Sequence, residues 1–402
     1  MDDSLGGNAD LVIVGAGLFG LTTAYKAATS LGLRVLVIER RPQIGGNAVS
    51  AMDPDTGIEV HCYGSHLFHC NSKEVWNFIN QFGAFSDYRH HVFTNCRGKI
   101  YPMPINLSTM CSFFGMAMSP NEARALIAAH ALKVARKPEN FEDKAISLVG
   151  RPLYEAFIQG YTSKQWQTDP KELPAYIIER LPLRFTFESR YFNDRFEGLP
   201  FDGYATMLSR MLDDPKIRVI LNADYFELDS QVRPDALVVY TGAIDRYFNF
   251  RFGALSWRTL DFEREVLPVD DFQGTPVMNY ADKEIPFTRI HEFRHLHPER
   301  TYTTEKTVIL REYSRFAGSK DEPYYPIGTR GDREIYQAYN RLAEAEKRTI
   351  FGGRLGTYRY LDMHQAIGSA LKTFDKIIAP HFKQGRPITG ELAFSEPSPA
   401  SY

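Results

Sequence analysis

A glycine-rich turn lies near the start of the chain, between two short apolar runs. The first run, Leu11–Val14, leads into Gly15-Ala16-Gly17-Leu18-Phe19-Gly20, and the second, Val35–Ile38, ends on Glu39. In a strand–turn–helix unit of this kind, the first glycine permits the tight turn and the second lets the backbone approach a pyrophosphate. The third lets the helix pack closely on the strand, and the acidic residue accepts ribose hydroxyls. The spacing therefore predicts a Rossmann-like dinucleotide-binding unit.

Further glycines bear on the choice between NAD and FAD. Gly45-Gly46 follow the second run, where they form either a plain turn or a close approach to a longer ligand. Gly353-Arg354 follow another apolar run, and the guanidinium is suited to a pyrophosphate. A helical pattern begins after Asp362, an N-cap residue, and its positive end suits an anionic reduced flavin. These features favour FAD, and the residues expected to bind it are Gly15, Gly17, Leu18, Phe19, Gly20, Glu39, Arg40, Gly46, Asn47, Gly353, Arg354, Asp362, Met363 and Ile367.

Composition limits the remaining classes of function. The chain has 402 residues, 44% of them hydrophobic, which suffices for a sizeable core in two or three domains. A formal net charge of −2 gives no electrostatic case for nucleic acid or for an anionic membrane surface. We find no secretion signal and no apolar run of about 18 residues, so we expect a cytoplasmic protein without a membrane span. The four cysteines lack paired CxxC spacing, which fits a reducing compartment.

Helical and strand patterns follow each other in blocks. Residues 119–122 form a capping box with proline at the first helical position, and residues 141–160 continue a helical pattern that breaks at Gly150. Short strands return between residues 218 and 242, and strand signals dominate from 255 to 313. We expect helices inserted into the doubly wound domain, followed by an antiparallel sheet.

A longer motif is more specific than the glycine turn. The run Tyr161-Thr162-Ser163-Lys164-Gln165-Trp166-Gln167-Thr168-Asp169-Pro170-Lys171-Glu172-Leu173-Pro174 resembles the bacterial UDP-galactopyranose mutases. The resemblance spans about residues 10 to 380. It continues through Arg180-Leu181-Pro182, Arg190-Tyr191-Phe192, Glu197-Gly198-Leu199-Pro200, Thr288-Arg289-Ile290-His291-Glu292, Arg311-Glu312-Tyr313-Ser314, Pro323-Tyr324-Tyr325-Pro326 and Gly353-Arg354-Leu355-Gly356-Thr357-Tyr358.

The resemblance implies an α/β fold with three domains. A discontinuous Rossmann-like FAD-binding domain would comprise residues 1–85, 200–245 and 325–402. An inserted α-helical domain would comprise residues 105–185, with a loop near 173–183 that closes over substrate. An antiparallel β-sheet domain would comprise residues 86–104, 186–199 and 246–324.

The family interconverts UDP-galactopyranose and UDP-galactofuranose, a ring contraction with no net redox change that requires reduced FAD. Reduced flavin offers N5 as a nucleophile for the anomeric carbon and so expels UDP. The protein's task is then positioning and charge neutralisation. The resemblance further implies a supply of galactofuranose for cell-surface glycans, an electron donor such as NAD(P)H, and a homodimer or larger homo-oligomer.

Site residues follow from the same resemblance. Arg180 and Arg289 would clamp the diphosphate, because guanidinium stays charged and binds phosphate in bidentate fashion. His66, with Leu67 beside it, would contact the flavin and act as a third catalytic residue. Phe157 and Tyr161 would form the uracil platform. The residues expected around the ribose, phosphates or sugar are Trp166, Tyr191, Asn279, Tyr324 and Tyr360, the last also contacting the cofactor, and His90, which aligns only loosely.

Two metal motifs compete with this interpretation. His291-Glu292-Phe293-Arg294-His295 matches the HExxH pattern of zinc proteases, which binds zinc only on a helix. Pro286 and Pro298 leave little room for a long helix and favour a strand. His66 and His69 form an HxxH pair, but no third ligand lies at a plausible spacing. We therefore predict no metal site.

Two further alternatives share the glycine turn. One is an FAD-dependent oxidoreductase of the amine-oxidase or protoporphyrinogen-oxidase type, which would oxidise its substrate with oxygen. It gives no account of the tyrosine, tryptophan and arginine series above. The other is a non-catalytic sensor of nucleotide sugars.

Overall fold

A computed structural model describes residues 8–131, 138–180 and 183–388, without the side chains of Tyr176, Glu179 and Arg180. The strands are β1 Leu11–Val14, β2 Val35–Ile38, β3 Ser50–Met52, β4 Glu59–His61, β5 Phe68–Cys70, β6 Val92–Cys96, β7 Lys99–Met103, β8 Phe196–Gly198, β9 Ile217–Ile220, β10 Leu237–Tyr240, β11 Trp257–Leu267, β12 Val277–Tyr280, β13 Arg289–Glu292, β14 Thr307–Phe316, β15 Tyr325–Pro326 and β16 Thr349–Phe351.

Helices connect and cover these strands. They are α1 Leu18–Leu31, α2 Lys73–Ile79, α3 Leu107–Phe114, α4 Pro120–His130, α5 Phe141–Val149, α6 Arg151–Leu153, α7 Gln159–Trp166, α8 Gly203–Arg210, α9 Tyr225–Leu228, α10 Ile244–Tyr247, α11 Arg330–Ala345, α12 Gly353–Gly356, α13 Met363–Thr373 and α14 Ala379–Gln384. Tighter 3₁₀ turns occur at Gly46–Ala48, Ala175–Arg180, Asp229–Gln231 and Phe293–Leu296, and wider π turns at Tyr154–Ile158 and Phe374–Ile378.

Within the described residues, the first sheet has the order β16-β10-β1-β2-β9 and is parallel throughout. Alternate residues of β1 face opposite sides because side chains alternate along a strand. Leu11 and Ile13 pack in a core with α1 and α13, while Val12 and Val14 pack in a core with Tyr339 of α11. Both faces are therefore covered by helices, as the predicted doubly wound domain requires.

The second sheet has the order β15-β11-β14-β13-β12-β6-β7 in the described part of the chain. Its neighbours are antiparallel except for β6 and β12, which are parallel. The expectation of a purely antiparallel sheet is wrong at this one pair. The reason is that β6 and β7 form a hairpin from an earlier part of the chain, which joins the sheet edge through β6.

The helices between residues 107 and 166 share a separate apolar core. Phe141, Ile146 and Leu153 lie at its centre, packed with Met110 of α3 and Ile127 of α4. The predicted capping box is confirmed, since the Ser119 hydroxyl accepts from the Glu122 N–H and α4 begins at Pro120. The break at Gly150 is also confirmed, with a positive φ of 77° between α5 and α6.

Two elements differ from the sequence prediction. Helix α11 was not anticipated, because most of its side chains are polar and only Asp332, Tyr339 and Ala343 are buried. Part of the expected substrate loop is a helical turn, Ala175–Arg180, and residues 181–182 of that loop lie outside the described residues. Among the described helices, none combines the length and apolar character needed to cross a membrane.

Candidate active site

The three glycines of the Gly15–Gly20 turn have different structural roles. A Cβ at Gly15 would lie 2.1 Å from the Thr241 hydroxyl, and one at Gly20 would lie 2.1 Å from the Gly15 carbonyl. A Cβ at Gly17 would meet no described atom within 4 Å. Gly15 and Gly20 therefore permit close packing, whereas Gly17 leaves its backbone open to a ligand at the N-terminus of α1.

The acidic residue at the end of β2 braces this turn. Glu39 accepts hydrogen bonds from the Ala16 N–H at 2.7 Å and the Arg41 N–H at 2.8 Å. The second glycine pair packs against the same turn, since a Cβ at Gly46 would lie 3.2 Å from the Gly17 Cα. Gly45 and Gly46 therefore form one wall of the dinucleotide-binding cradle, by which we mean the Gly15–Gly20 turn, Glu39 at the end of β2, and residues 45–46.

Two arginines lie at one side of the cradle, directly after Glu39. Arg40 and Arg41 each lie 2.8 Å from a carboxylate oxygen of Glu322. Arg41 also donates to the Asn47 side chain at 3.0 Å and stacks over the Tyr63 ring. The two arginines therefore share one counter-charge.

Residues 352–362, a C-terminal segment expected to bind the cofactor, pack onto the Gly15–Gly20 turn. A Cβ at Gly352 would lie 2.3 Å from the Phe19 ring, so only glycine fits there. Arg354 donates to the carbonyls of Tyr324 and Leu361 and lies 4.7 Å from the Tyr360 ring. Its guanidinium is thus fixed by the backbone and an aromatic face.

Helix α13 presents its N-terminus beside this segment. Asp362 is the N-cap, as predicted, and it also forms a capping box with Gln365. Ile367 is fully buried, and Met363 packs against the same core, together with Leu18, Phe19 and Leu67. The open backbone at Gly17, together with two helix N-termini, fits a dinucleotide such as FAD.

His66 is held in one tautomer. Its Nδ1 lies 2.8 Å from the Gly64 carbonyl, which can only accept, so Nδ1 carries the proton and Nε2 is a free acceptor. Burial lowers the pKa of His66 to about 4, although the bond to Gly64 opposes this shift. The ring is therefore neutral at neutral pH.

The second sheet aligns polar residues in one cross-strand row. Thr94 of β6 is opposite Asn279 of β12, which is opposite Arg289 of β13, which is opposite Glu312 of β14. Phe262 of β11 ends the row. Directly opposed residues share a face, so the strand register brings Asn279 and Arg289 together.

Arg289 is the central cation of this row. Its Nε lies 3.3 Å from Glu312, and its Nη2 donates to the Tyr161 hydroxyl. Burial alone would lower the pKa of Arg289, but Glu312 and neighbouring tyrosines, Tyr191 and Tyr325 among them, raise it. Burial would raise the pKa of Glu312, but Arg289 and a hydrogen bond with His291 hold it at about 2. Both groups are charged at neutral pH.

A hydrogen-bonded chain joins this pair to the neighbour of His66. His291 Nε2 lies 3.0 Å from Glu312, and its Nδ1 lies 2.8 Å from the Ser65 hydroxyl. Burial lowers the pKa of His291, while Glu312 opposes this. A neutral ring donates to the carboxylate from Nε2 and accepts from Ser65 at Nδ1.

Helix α7 is docked tightly on the sheet. Lys164 donates to the carbonyls of Tyr280 and Phe287, and Ser314 donates to the Gln165 carbonyl. A Cβ at Gly160 would lie 2.2 Å from the Ala281 carbonyl. These contacts bring Tyr161 onto Arg289.

Other predicted substrate residues are more dispersed. Trp166 packs at the margin of the helical core. Phe157 lies inside that core, with Tyr101 and Phe113 at ring-centroid distances of 5.0 and 5.3 Å. Tyr324 is buried near Tyr63 and Phe262.

His90 and Tyr191 form a second aromatic group beside the row. The Tyr191 ring is partly exposed and its centroid lies 5.7 Å from that of His90. Burial lowers the pKa of His90, whose Nδ1 lies 3.0 Å from the Tyr88 hydroxyl. The side chain of Arg180 lies outside the described residues.

Sequence reasoning missed two residues of this region. Tyr325 stacks on Tyr360 at 5.6 Å and interacts electrostatically with Arg289. Arg258 is 1% exposed, donates to Ser314 and Gln167, and leaves its Nε without a partner among the described residues. Burial lowers the pKa of Arg258 to about 10. Strand alternation was the available signal, since Arg258 and Ser314 lie on one face.

The HExxH segment is not a helix. His291 and Glu292 end strand β13, and His295 lies in the 3₁₀ turn that follows, so the preference for a strand is confirmed where the motif begins. His291 bonds to Glu312, whereas His295 bonds to Asp271. The two histidines thus have separate partners, and the protease geometry is absent from these described residues.

Comparisons with known proteins agree with this geometry. The model of the UDP-galactopyranose mutase family matches residues 156–360, and that of the NAD(P)-binding Rossmann-like domain matches residues 13–82. A probable UDP-galactopyranose mutase of Klebsiella pneumoniae is 42% identical over 92% of this chain and 95% of that protein. A dTDP-fucopyranose mutase of Escherichia coli is 38% identical over 90% of this chain and 96% of that protein.

A solved structure shows the same fold. The crystal structure of reduced UDP-galactopyranose mutase aligns with a TM-score of 0.69 and 14% identity, over 94% of this chain and 95% of that one. The Rossmann-like unit and these relatives imply FAD as the cofactor. The chain belongs to the UDP-galactopyranose mutase family, whose members are flavin-dependent isomerases.

Proposed function

We propose that this chain interconverts UDP-galactopyranose and UDP-galactofuranose, with reduced FAD held between the Gly17 turn and α13. The main support is Arg289, a partly exposed cation that is fixed between the buried Glu312 and Tyr161. Its Nε faces Glu312 at 3.3 Å, while 30% of the side-chain surface is exposed. A preorganised and partly exposed guanidinium suits a diphosphate.

The protein's part in the reaction is to bind, orient and neutralise charge. When bound, reduced FAD supplies N5 as a nucleophile for the anomeric carbon. Arg289 holds the diphosphate while its bond to that carbon breaks, and Arg180 supplies the second cation by family resemblance. His66 is neutral at neutral pH, and a ring nitrogen or its backbone would hydrogen-bond the flavin.

Aromatic faces hold the nucleotide. Tyr161 lies against Arg289 and provides the platform for uracil, with Phe157 supporting it from the helical core. The remaining contacts to ribose, phosphates and sugar come from Trp166, Tyr191, Asn279, Tyr324, Tyr360 and His90.

The wider setting follows from the same resemblance. The three domains would have the boundaries given above. The enzyme would act in the cytoplasm as a homodimer or larger homo-oligomer, take electrons from a donor such as NAD(P)H, and supply galactofuranose for cell-surface glycans.

One assay separates this proposal from its alternatives. The FAD-loaded protein is incubated anaerobically with UDP-galactofuranose, before and after reduction by dithionite, and products are separated by chromatography. We expect UDP-galactopyranose only from the reduced protein. Hydrogen peroxide formation in air would indicate an oxidase, and no reaction in either state would indicate a sensor.

A separate comparison of two substrates tests which nucleotide and which sugar the enzyme prefers. Because a relative 38% identical is named dTDP-fucopyranose mutase, the fold alone does not select UDP-galactose. We expect faster conversion of UDP-galactofuranose than of dTDP-fucofuranose. The opposite order would retain the reaction class and overturn the substrate.

A further inference from the structure

Three potential metal ligands from distant parts of the chain converge beside the N-terminus of α13. They are a ring nitrogen of His69, at the centre of β5, a carboxylate oxygen of Asp362 and a ring nitrogen of His364. These ligand atoms all lie within 4.8 Å of one another. The His69 and His364 ring centroids are 5.0 Å apart. The cluster includes His69 of the HxxH pair but not His66, and its other two ligands come from the start of α13.

His69 is oriented as metal-binding histidines are. Its Nδ1 is hydrogen-bonded to the Asp194 carboxylate, which leaves Nε2 as the nitrogen available to an ion. Asn71 donates to the other oxygen of Asp194. Phe192 stacks on the imidazole with ring centroids 3.7 Å apart. A carboxylate behind a histidine fixes its tautomer and raises its basicity as a ligand.

His364 supplies an independent observation. Its Nδ1 is buried and has no hydrogen-bond partner among the described residues. Buried polar atoms are nearly always paired, so an unpaired nitrogen on a ring of this cluster points to an occupant. Asp362 caps α13 with its carboxylate, which keeps lone pairs for a further partner.

A second cluster provides a contrast. Asp271, Glu292 and His295 also lie close enough to share an ion. However, Glu292 already accepts hydrogen bonds from Phe272, Gln273 and Thr307 at 2.7–2.9 Å. The carboxylate lone pairs of Glu292 are thus taken up by hydrogen bonds. This cluster is therefore a hydrogen-bonded corner of the sheet, and its His295 serves as the control for metal binding.

We propose that His69, Asp362 and His364 bind one divalent transition-metal ion such as Zn²⁺. Two imidazoles and a carboxylate form an established zinc ligand set that leaves a fourth position open. Ligand atoms about 2.0–2.1 Å from a tetrahedral ion lie roughly 3.3 Å apart, so the side chains close by about 1.5 Å at most on binding. The ion would tie β5 to the helix at the cofactor cradle.

Zinc titration of the FAD-loaded full-length protein tests this proposal. After chelator treatment and dialysis, calorimetry should show one Zn²⁺ bound per chain. His364→Ala and His69→Ala should each weaken binding by at least roughly 100-fold, because each removes a direct ligand. Asp194→Asn should weaken zinc binding by roughly 10- to 100-fold, as expected for a residue that orients a ligand but does not touch the ion. His295→Ala should bind zinc like the unchanged protein.

Flavin absorbance and thermal unfolding establish that each variant is folded. If His69→Ala does not fold, His364→Ala and Asp194→Asn decide the question. Absence of saturable zinc binding, or zinc binding that survives His364→Ala and is lost in His295→Ala, would overturn the proposal. Anomalous diffraction at the zinc edge should place the ion between His69 and His364.

Discussion

Arg289 and Glu312 lie directly opposite each other on adjacent antiparallel strands, with the Arg289 Nε 3.3 Å from a Glu312 oxygen. The Glu312 side chain is 3% exposed, whereas that of Arg289 is 30% exposed. Loss of Arg289 would leave the buried Glu312 charge without its cation, which is destabilising. The pair therefore holds the guanidinium in place before any substrate arrives.

Loss of Arg289 should impair turnover more than flavin binding. We expect Arg289→Ala to lower kcat/KM for UDP-galactofuranose by roughly 10²- to 10³-fold, the usual effect of removing one donor to a developing negative charge. Visible absorbance should show FAD still bound. Arg315→Ala is the matched control, since Arg315 lies on the opposite face of the same sheet and pairs with Asp261 and Asp321. Near-normal turnover by Arg289→Ala would contradict the assignment.

Glu312 should make stability depend on pH in an acidic window. Its pKa is about 2 in the folded protein against an ordinary 4.5. Its stabilising contribution is therefore complete above about pH 4.5 and is lost as the pH falls towards 2. Between about pH 5 and pH 3, the free energy of unfolding should fall by roughly 1–3 kcal/mol more in the unchanged protein than in Glu312→Gln. Urea titration followed by tryptophan fluorescence measures this, and equal falls would contradict the pairing.

His66 should not titrate near neutral pH. Because burial lowers its pKa to about 4, the imidazole becomes protonated only in acid. In the oxidised FAD-loaded protein, its ring resonances should stay constant between about pH 5.5 and pH 8. Magnetic resonance of histidine-labelled protein tests this, with the spectrum of His66→Gln providing the assignment. A midpoint near the ordinary value of 6.5 would show that the ring is not held neutral.

Two glycines of the first turn should respond differently to one methyl group. Gly17→Ala meets no described atom, so the apoprotein should unfold within about 0.5 kcal/mol of the unchanged protein. FAD affinity should nevertheless fall, since the methyl group enters the space that the cofactor needs. Gly20→Ala places its Cβ 2.1 Å from a backbone carbonyl and should destabilise the apoprotein by roughly 1–3 kcal/mol. Equal loss of stability in both variants would mean that Gly17 has only a packing role.

Local patterns predicted the turn after β1 and the caps of two helices because these features depend on residues close in sequence. The Gly15–Gly20 turn, the cap at Asp362 and the box at Ser119 all depend on neighbours within a few residues. The row that joins Asn279 to Arg289 depends instead on strand register. Register is set by pairing between distant segments, which no periodicity in one sequence specifies.

The same dependence on contacts between distant segments explains why Tyr325 and Arg258 were not predicted. Tyr325 joins the site only because it stacks on Tyr360 across a loop, and Arg258 reaches Ser314 across two strands. His69 and His364 meet only when β5 lies beside α13. Such juxtapositions arise from tertiary packing, so the local spacing of His66 and His69 could not show that His69 groups with Asp362 and His364 instead.

We expect reduced flavin to enable cleavage and re-formation of the bond between the anomeric carbon and UDP. A direct test uses UDP-galactofuranose carrying ¹⁸O at the bridging oxygen, given to one protein sample before and after anaerobic reduction. UDP-galactopyranose should form only after reduction, with the label distributed among the β-phosphate oxygens. Equal conversion by oxidised protein, or product that retains all label in the bridge, would contradict this expectation.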